Sequence, residues 1–420
     1  MDFSKIVESE NYKVIYDVVI IGAGASGLFA AIHAAQRGRK VLVIDHAKRP
    51  GKKLLVSGGG KCNITNRTIA VTDYFGQDPS FCKYALKRFT TKSVFELLEN
   101  AGIKTEERDH ERIFCRHGAD EVVSYLVRTA ENAGVCFALN TTVSEVSCST
   151  SGLLPADLPC TDSDIQPAGH FYVNCEGMQY EASSLLVATG GLAWPQIGAT
   201  NLGYVIAKQF GHKIIPLKPA LTGFILPQDS SLMNLQGISL DVRLQIKGKE
   251  AVVEEPLLFT HKGISGPSVF QISCFWEKGD IVLVNFLPSD DVISHMHDPG
   301  NGKLLVKNLL MQFLPERLVK AILPPVLSER KIAELSKKDR KIIADCVHFF
   351  PEIPSSLEGF SKAEATLGGV CTDEINPKRM ESLLQKGLFF SGEVIDITGK
   401  LGGYNIHWAF ASGSLAGKNL

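Results

Sequence analysis

An apolar run from Val18 to Ile21 enters Gly22-Ala23-Gly24-Ala25-Ser26-Gly27, and no other stretch constrains the fold as strongly. A helical pattern follows to about Arg37, and a second apolar run, Val41 to Ile44, ends on Asp45. Strand, glycine turn, helix and acid-tipped strand in this order form the context in which a GxGxxG motif binds a dinucleotide. Gly22 is expected to make the tight turn, Gly24 to let the backbone approach a pyrophosphate, and Gly27 to let the helix pack on the strand. The helix N-terminus, at Ala25 and Ser26, offers free N–H groups and a positive dipole end to the phosphates. Asp45 lies 18 residues beyond Gly27, close to the spacing of a ribose-binding acid. Without a ligand the same pattern would be a buried parallel strand with a glycine turn.

A second glycine-rich stretch, Gly51 to Asn66, follows Asp45 directly. Gly58, Gly59 and Gly60 remove every Cβ from a short path, so a flat ligand can approach the backbone. Lys53, Ser57, Lys61, Cys62 and Asn63 place polar or polarisable groups along it, with Thr65 and Asn66 just beyond. A nicotinamide dehydrogenase has no need of such a loop. A flavin enzyme does, because it holds an isoalloxazine ring far from the adenine. On composition alone the loop would be flexible surface. The expected cofactor is therefore FAD.

The remaining chain divides into three parts. Helices are expected over 80–101 and 118–134, short strands between 103 and 115 and from 135 to 147, and a loop over 149–169. His170–Asn174 and Met178–Glu181 read as a hairpin, and Ser184 to Val187 as a strand ending in Thr189-Gly190-Gly191. From 193 to 360 prolines punctuate short strand-like runs, then helical patterns appear over 303–350, which suits a small β-barrel with a helical part. Leu388 to Phe390 returns as a strand. The fold expected is α/β: a Rossmann-like FAD-binding domain, discontinuous over 1–192 and 361–420, with an inserted β-barrel plus helical domain at 193–360.

The chain resembles the BaiN-like (YhiN-like) FAD-dependent oxidoreductases. The resemblance is carried by GAGASGLFAA, GKKLLVSGGGKCNITN, VATGG at 187–191, FTHKGISGP at 259–267, LGGV, and FFSGEVIDITGKLGGYNIHWAFASGSLAG at the C-terminus. It spans about residues 17 to 417. The chain departs from the family at Leu383, where a lysine is often found, and at Thr398, where an acid is. The resemblance implies that Gly392, Glu393 and Asp396 serve the ribityl hydroxyls. It also implies that Gly403, Tyr404, Asn405 and Ile406 form a helix start aimed at the flavin, whose dipole stabilises charge on the reduced ring. Thr189 and Gly190 are expected to close the same site.

Candidate catalytic groups are His261, in the turn His261-Lys262-Gly263, as proton donor, and Cys62. The bland alternatives are a turn histidine bound to backbone and a packing cysteine. His212 and His348 read as structural. Ten scattered cysteines without a C-x-x-C pair, and no secretory signal, read as reduced thiols of a cytoplasmic protein with no metal site. Lacking a second GxGxxG, the chain is expected to meet NAD(P)H, if at all, as a transient donor. A net charge of −1 without a basic run implies a small-molecule substrate, no nucleic acid and no membrane. Oligomeric state is not legible. The leading function is an FAD-dependent, NAD(P)H-linked oxidoreductase of a small organic substrate. The alternatives are a flavoprotein of tRNA modification, disfavoured by the neutral charge, and a flavin-bound sensor or scaffold.

Overall fold

The computed structural model describes residues 13–149 and 169–420, which form two compact units, one of residues up to 218 together with 365–420, the other of 219–364. The central sheet of the first unit runs in the order Cys136–Leu139, Val41–Asp45, Lys13–Ile21, Met178–Val187, His170–Cys175, Val143–Ser149. The first four strands are parallel, with Val18 opposite Val41 on one side and Ser184 on the other. Their β-branched residues Val18, Val19, Ile20, Val41 and Val43 are buried, as expected of parallel strands covered on both faces.

The Met178–Val187 strand changes partner along its length. Met178 to Ala182 pairs antiparallel with Phe171 to Cys175, closing the hairpin read from the sequence. Leu185 to Val187 instead pairs in parallel with Leu388 to Phe390. The C-terminal segment thus re-enters the sheet beside the strand that ends in Thr189-Gly190.

The helix after the glycine turn, Ala25–Ala35, packs against the C-terminal helix Tyr404–Gly417. A Cβ at Gly413 would overlap the Ser26 carbonyl, and one at Gly417 the Ala30 carbonyl. Only glycine permits this approach, and the facing Ala30 is small and fully buried.

In the second unit an antiparallel sheet orders Phe350–Glu352, Val282–Asn285, Ser239–Ile246, Val252–Phe259, Gly263–Ser265, Phe224–Ile225, Ser356–Leu357. Its two edge strands are consecutive in the chain, separated only by residues 353–355. A linker that short spans at most about 14 Å, so the sheet curls back on itself in the manner of a barrel. Short helices, among them Val306–Leu310, Glu316–Ile322 and Lys337–His348, cover its core of Val242, Leu244, Phe259 and Val284.

Two local expectations change. Residues 80–101 form two helices, Lys83–Arg88 and Thr91–Asn100. Thr90 breaks the run because its hydroxyl accepts from Ser93 N–H and starts a new helix. Residues 193–218, read as the start of the insert, pack with the first unit. The loop expected over 149–169 falls almost wholly outside the described residues.

Candidate functional site

The glycines of the first turn have three separate surroundings. Gly22 sits at φ +112°, and a Cβ there would overlap the Ala188 carbonyl oxygen at the end of the neighbouring strand. A Cβ at Gly27 would overlap the Gly22 carbonyl, so this glycine seats the helix on the turn. Gly24 has an ordinary extended backbone, φ −80° and ψ −170°, and a Cβ would meet nothing within 4 Å. The first helical hydrogen bond runs from Leu28 N–H to the Gly24 carbonyl. The N–H groups of Ala25, Ser26 and Gly27 therefore have no acceptor within the helix. The Ser26 hydroxyl is turned away, donating to Ser391 Oγ at 2.5 Å.

Asp45 ends its strand beside this turn. Its Oδ2 accepts from Ala23 N–H and its Oδ1 from Ala47 N–H, both at 2.7 Å. Each oxygen keeps a second lone pair, and the carboxylate is oriented before any ligand arrives.

The glycine-rich loop is a chain of left-handed residues: Gly51 (φ +72°), Gly58 (+56°), Gly59 (+65°), Gly60 (+84°) and Cys62 (+49°). A Cβ at Gly59 meets nothing within 4 Å, whereas one at Gly58 would press on Asn63 N and the Phe114 ring. Lys53 reaches from this segment to the C-terminal one, its Nζ 2.6 Å from Glu393 Oε2. The other oxygen, Oε1, accepts from Thr366 N–H at 2.8 Å. With its amide turned to suit its neighbours, Asn63 donates to the Ile113 and Thr65 carbonyls and accepts from Gly403 N–H. Ser57 donates to the Leu54 carbonyl at 2.7 Å, and Lys61 to the Arg116 carbonyl at 2.9 Å.

At the C-terminal segment, Asp396 is 2% exposed and its Oδ2 accepts from Gln77 N–H at 2.8 Å. Burial pushes its carboxyl up to about 6, against the pull of the Gln77 and Gly368 N–H groups. Thr398 donates to the Thr366 carbonyl at 2.6 Å and is fully buried. The Asn405 side chain clamps Gly399, accepting from its N–H at 2.8 Å and donating to its carbonyl at 2.9 Å. One N–H and one lone pair of that amide remain open. Gly402 and Gly403, at φ +130° and +94°, turn the chain into the helix. A Cβ at Gly403 would overlap the Thr65 backbone.

Two groups were not legible as site residues. Tyr204, on the helix Leu202–Gln209, is 4% exposed and its hydroxyl has no hydrogen-bond partner. Burial and the nearby Glu393 and Asp396 carboxylates hold that hydroxyl well above the usual tyrosine range. His407 is buried, with Nε2 3.0 Å from the Phe89 carbonyl and Nδ1 2.9 Å from Thr65 Oγ1. The carbonyl can only accept, so Nε2 carries the hydrogen and Nδ1 accepts. Burial pulls this imidazole down to about 4. His407 lies within the C-terminal stretch that carries the family resemblance, and Tyr204 follows a glycine-bearing turn, Gly198 to Gly203.

These residues fit a dinucleotide. The structure supplies an orphaned buried hydroxyl at Tyr204, free helix N–H groups, an oriented acid at Asp45, and space above Gly24, Gly59 and Gly190 where a Cβ would meet nothing within 4 Å. Thr189 and Gly190 (φ +75°) lie at the end of the central strand within the same unit. The candidate catalytic groups are less favourably placed. Cys62 is fully buried, a poor position for a proton donor. His261 is exposed in the turn between Val252–Phe259 and Gly263–Ser265 of the second unit. His212 is buried against Ser382 and Glu374, and His348 against Asn285 and Val292. Among the described residues no three His, Cys, Asp or Glu side chains gather as for a metal ion, and no helix is long and apolar enough to cross a membrane.

A family model described as HI0933-like protein Rossmann domain matches residues 16–419. A ribosomal RNA dihydrouridine synthase of Escherichia coli K12 is 37% identical over 406 residues, covering 94% of this chain and 96% of that protein. Its namesake in Haemophilus influenzae is 38% identical over 398 residues, covering 94% and 96%. A 3-dehydro-bile acid delta(4,6)-reductase of Clostridium scindens is 29% identical over 419 residues, covering 95% and 97%. The expectation that nucleic acid is no partner is thereby overturned, since whole-length relatives are named for action on ribosomal RNA. The reasoning failed because net charge sums over the whole chain, while phosphate contact depends on the few cations at one surface.

Proposed function

The chain belongs to the HI0933-like Rossmann family of FAD-dependent oxidoreductases, and from that premise we propose that it reduces a carbon–carbon double bond of uracil in ribosomal RNA. The observation that carries this reading is the 37% identity, along 94% of the chain, to a ribosomal RNA dihydrouridine synthase. Dihydrouridine is uridine with hydrogen added at C5 and C6. The bile acid relative is also named for reducing double bonds, so one chemistry, hydride plus proton to an activated alkene, joins both kinds of relative.

FAD, when bound, supplies the hydride. Gly24 and the N–H groups of Ala25 to Gly27 receive the pyrophosphate. Asp45 accepts from the adenosine ribose. Tyr204, Glu393 and Asp396 meet the ribityl hydroxyls, with Lys53 holding Glu393 in place. The helix start at Gly403 to Ile406 stabilises negative charge on the reduced ring. His261 is the candidate proton donor to the substrate. NAD(P)H is the electron donor; with one GxGxxG in the chain, it docks transiently.

The test is incubation of the purified yellow protein with NADH or NADPH and ribosomal RNA lacking dihydrouridine, followed by nucleoside mass spectrometry. Appearance of a nucleoside two mass units above uridine supports the reading. The Clostridium scindens relative favours a second one, reduction of a conjugated ketone of steroid type. Flavin reoxidation by such an enone, with RNA unmodified, would select it.

A further inference from the structure

Cys62 and Cys115 stand at one end of the antiparallel ladder formed by Asn63–Asn66 and Arg112–Cys115. Asn63 is opposite Phe114, and Cys62, at φ +49°, immediately precedes that strand. Cys115 N–H donates to the Lys61 carbonyl at 2.9 Å and the Cys62 carbonyl at 3.3 Å. Residues whose backbones meet in such an N–H···O contact stand about 5.5 Å apart at Cα, inside the range of about 4.4–6.8 Å that a disulfide spans. Both side chains are fully buried, and each thiol acts on the titration of the other. Of the two sulfurs, Cys62 is the one whose neighbours favour the thiolate. The neighbouring Cys115 draws its thiol down, with help from Ser57. The same contact, together with burial, drives the Cys115 thiol up. One sulfur is set to attack and the other to resolve.

We propose that Cys62 and Cys115 are a reversible redox site, closed to a disulfide by a peroxide and reopened by thiol, that ties the Gly58-Gly59-Gly60 loop to the Arg112–Cys115 strand. In the first step the Cys62 thiolate attacks a peroxide oxygen and expels hydroxide, leaving a sulfenic acid. In the second the Cys115 thiol displaces that hydroxyl as water and forms the S–S bond. Two electrons pass from the sulfurs to the peroxide, and the Cys115 proton leaves in the water. Gly58, Gly59 and Lys61 above the pair are exposed, so a small oxidant has only the thickness of that loop to cross, while a bulky alkylating reagent is excluded until the protein unfolds. Oxidation adds a covalent tie to a loop otherwise held by hydrogen bonds, among them Lys61 to the Arg116 carbonyl and Cys115 N–H to the Lys61 carbonyl.

The test uses the purified flavin-loaded protein, treated with hydrogen peroxide, denatured in the presence of an alkylating agent and digested with trypsin without reduction. Cleavage after Lys61, Arg67, Arg112 and Arg116 releases Cys62–Arg67 and Ile113–Arg116 as short peptides. The expected product is these two peptides joined, two hydrogens lighter than their sum, and separated again by dithiothreitol. In Cys115→Ser the link vanishes and Cys62 is recovered as sulfenic or sulfinic acid. Recovery of both wild-type peptides as free alkylated thiols, or of Cys62 as sulfinic acid without the link, overturns the proposal.

Discussion

Lys53 Nζ lies 2.6 Å from Glu393 Oε2, joining two segments 340 residues apart in the chain. Glu393 is the more buried partner, 14% exposed against 39% for Lys53, and its second oxygen caps Thr366 N–H. Removing it leaves a backbone donor and a half-buried ammonium without their acceptor. Glu393→Ala should therefore lower stability by roughly 1–3 kcal/mol, and Lys53→Ala by less. Chemical denaturation with and without added FAD checks this. A larger loss in the presence of FAD shows that the carboxylate also serves the cofactor.

The turn glycines should separate fold from binding. Gly24→Val should leave the flavin-free protein as stable as wild type, because a Cβ there meets nothing within 4 Å, yet abolish yellow colour. Gly22→Val and Gly27→Val should instead destabilise the fold, since both place a Cβ on backbone carbonyls. Circular dichroism melts and flavin absorbance on the same preparations make the comparison. Gly24→Val with full flavin content would move the phosphate site elsewhere.

Asp396 should give the flavin-free protein a pH signature. Its folded carboxyl stands at about 6, against an ordinary value of 3.8, because burial disfavours the charged form. The folded state then holds its proton more tightly than the unfolded one. The resulting penalty is absent below about pH 4, grows as pH rises to 6, and is complete above, at about 3 kcal/mol. Urea titrations from pH 4 to 7 should show wild type losing stability relative to Asp396→Asn across that window. Parallel curves would place the Asp396 carboxyl near its ordinary range.

His261→Ala should lower turnover while leaving the flavin spectrum and melting temperature intact, because an exposed turn side chain carries little of the fold. Single-turnover flavin reoxidation by substrate reads the effect directly. A wild-type rate would remove this histidine from the mechanism.

What the sequence by itself determined is the part written in local chemistry. A GxGxxG between β-branched runs, an acid at the tip of Val41–Asp45, and three glycines in a row imply backbone conformations and open space that few folds use otherwise. The pairs that complete the site were decided only by the tertiary structure. Lys53 with Glu393, Asn405 with Gly399, Thr65 with His407, and the lone Tyr204 hydroxyl join groups whose relation no periodicity records. Long-range contacts of this kind depend on strand order, and the C-terminal segment enters the sheet only because Leu388–Phe390 pairs with the last residues of Met178–Val187. The same holds for Cys62 and Cys115. As residues they are two of ten scattered cysteines, and only the contact of the Cys115 N–H with the Cys62 carbonyl makes them neighbours.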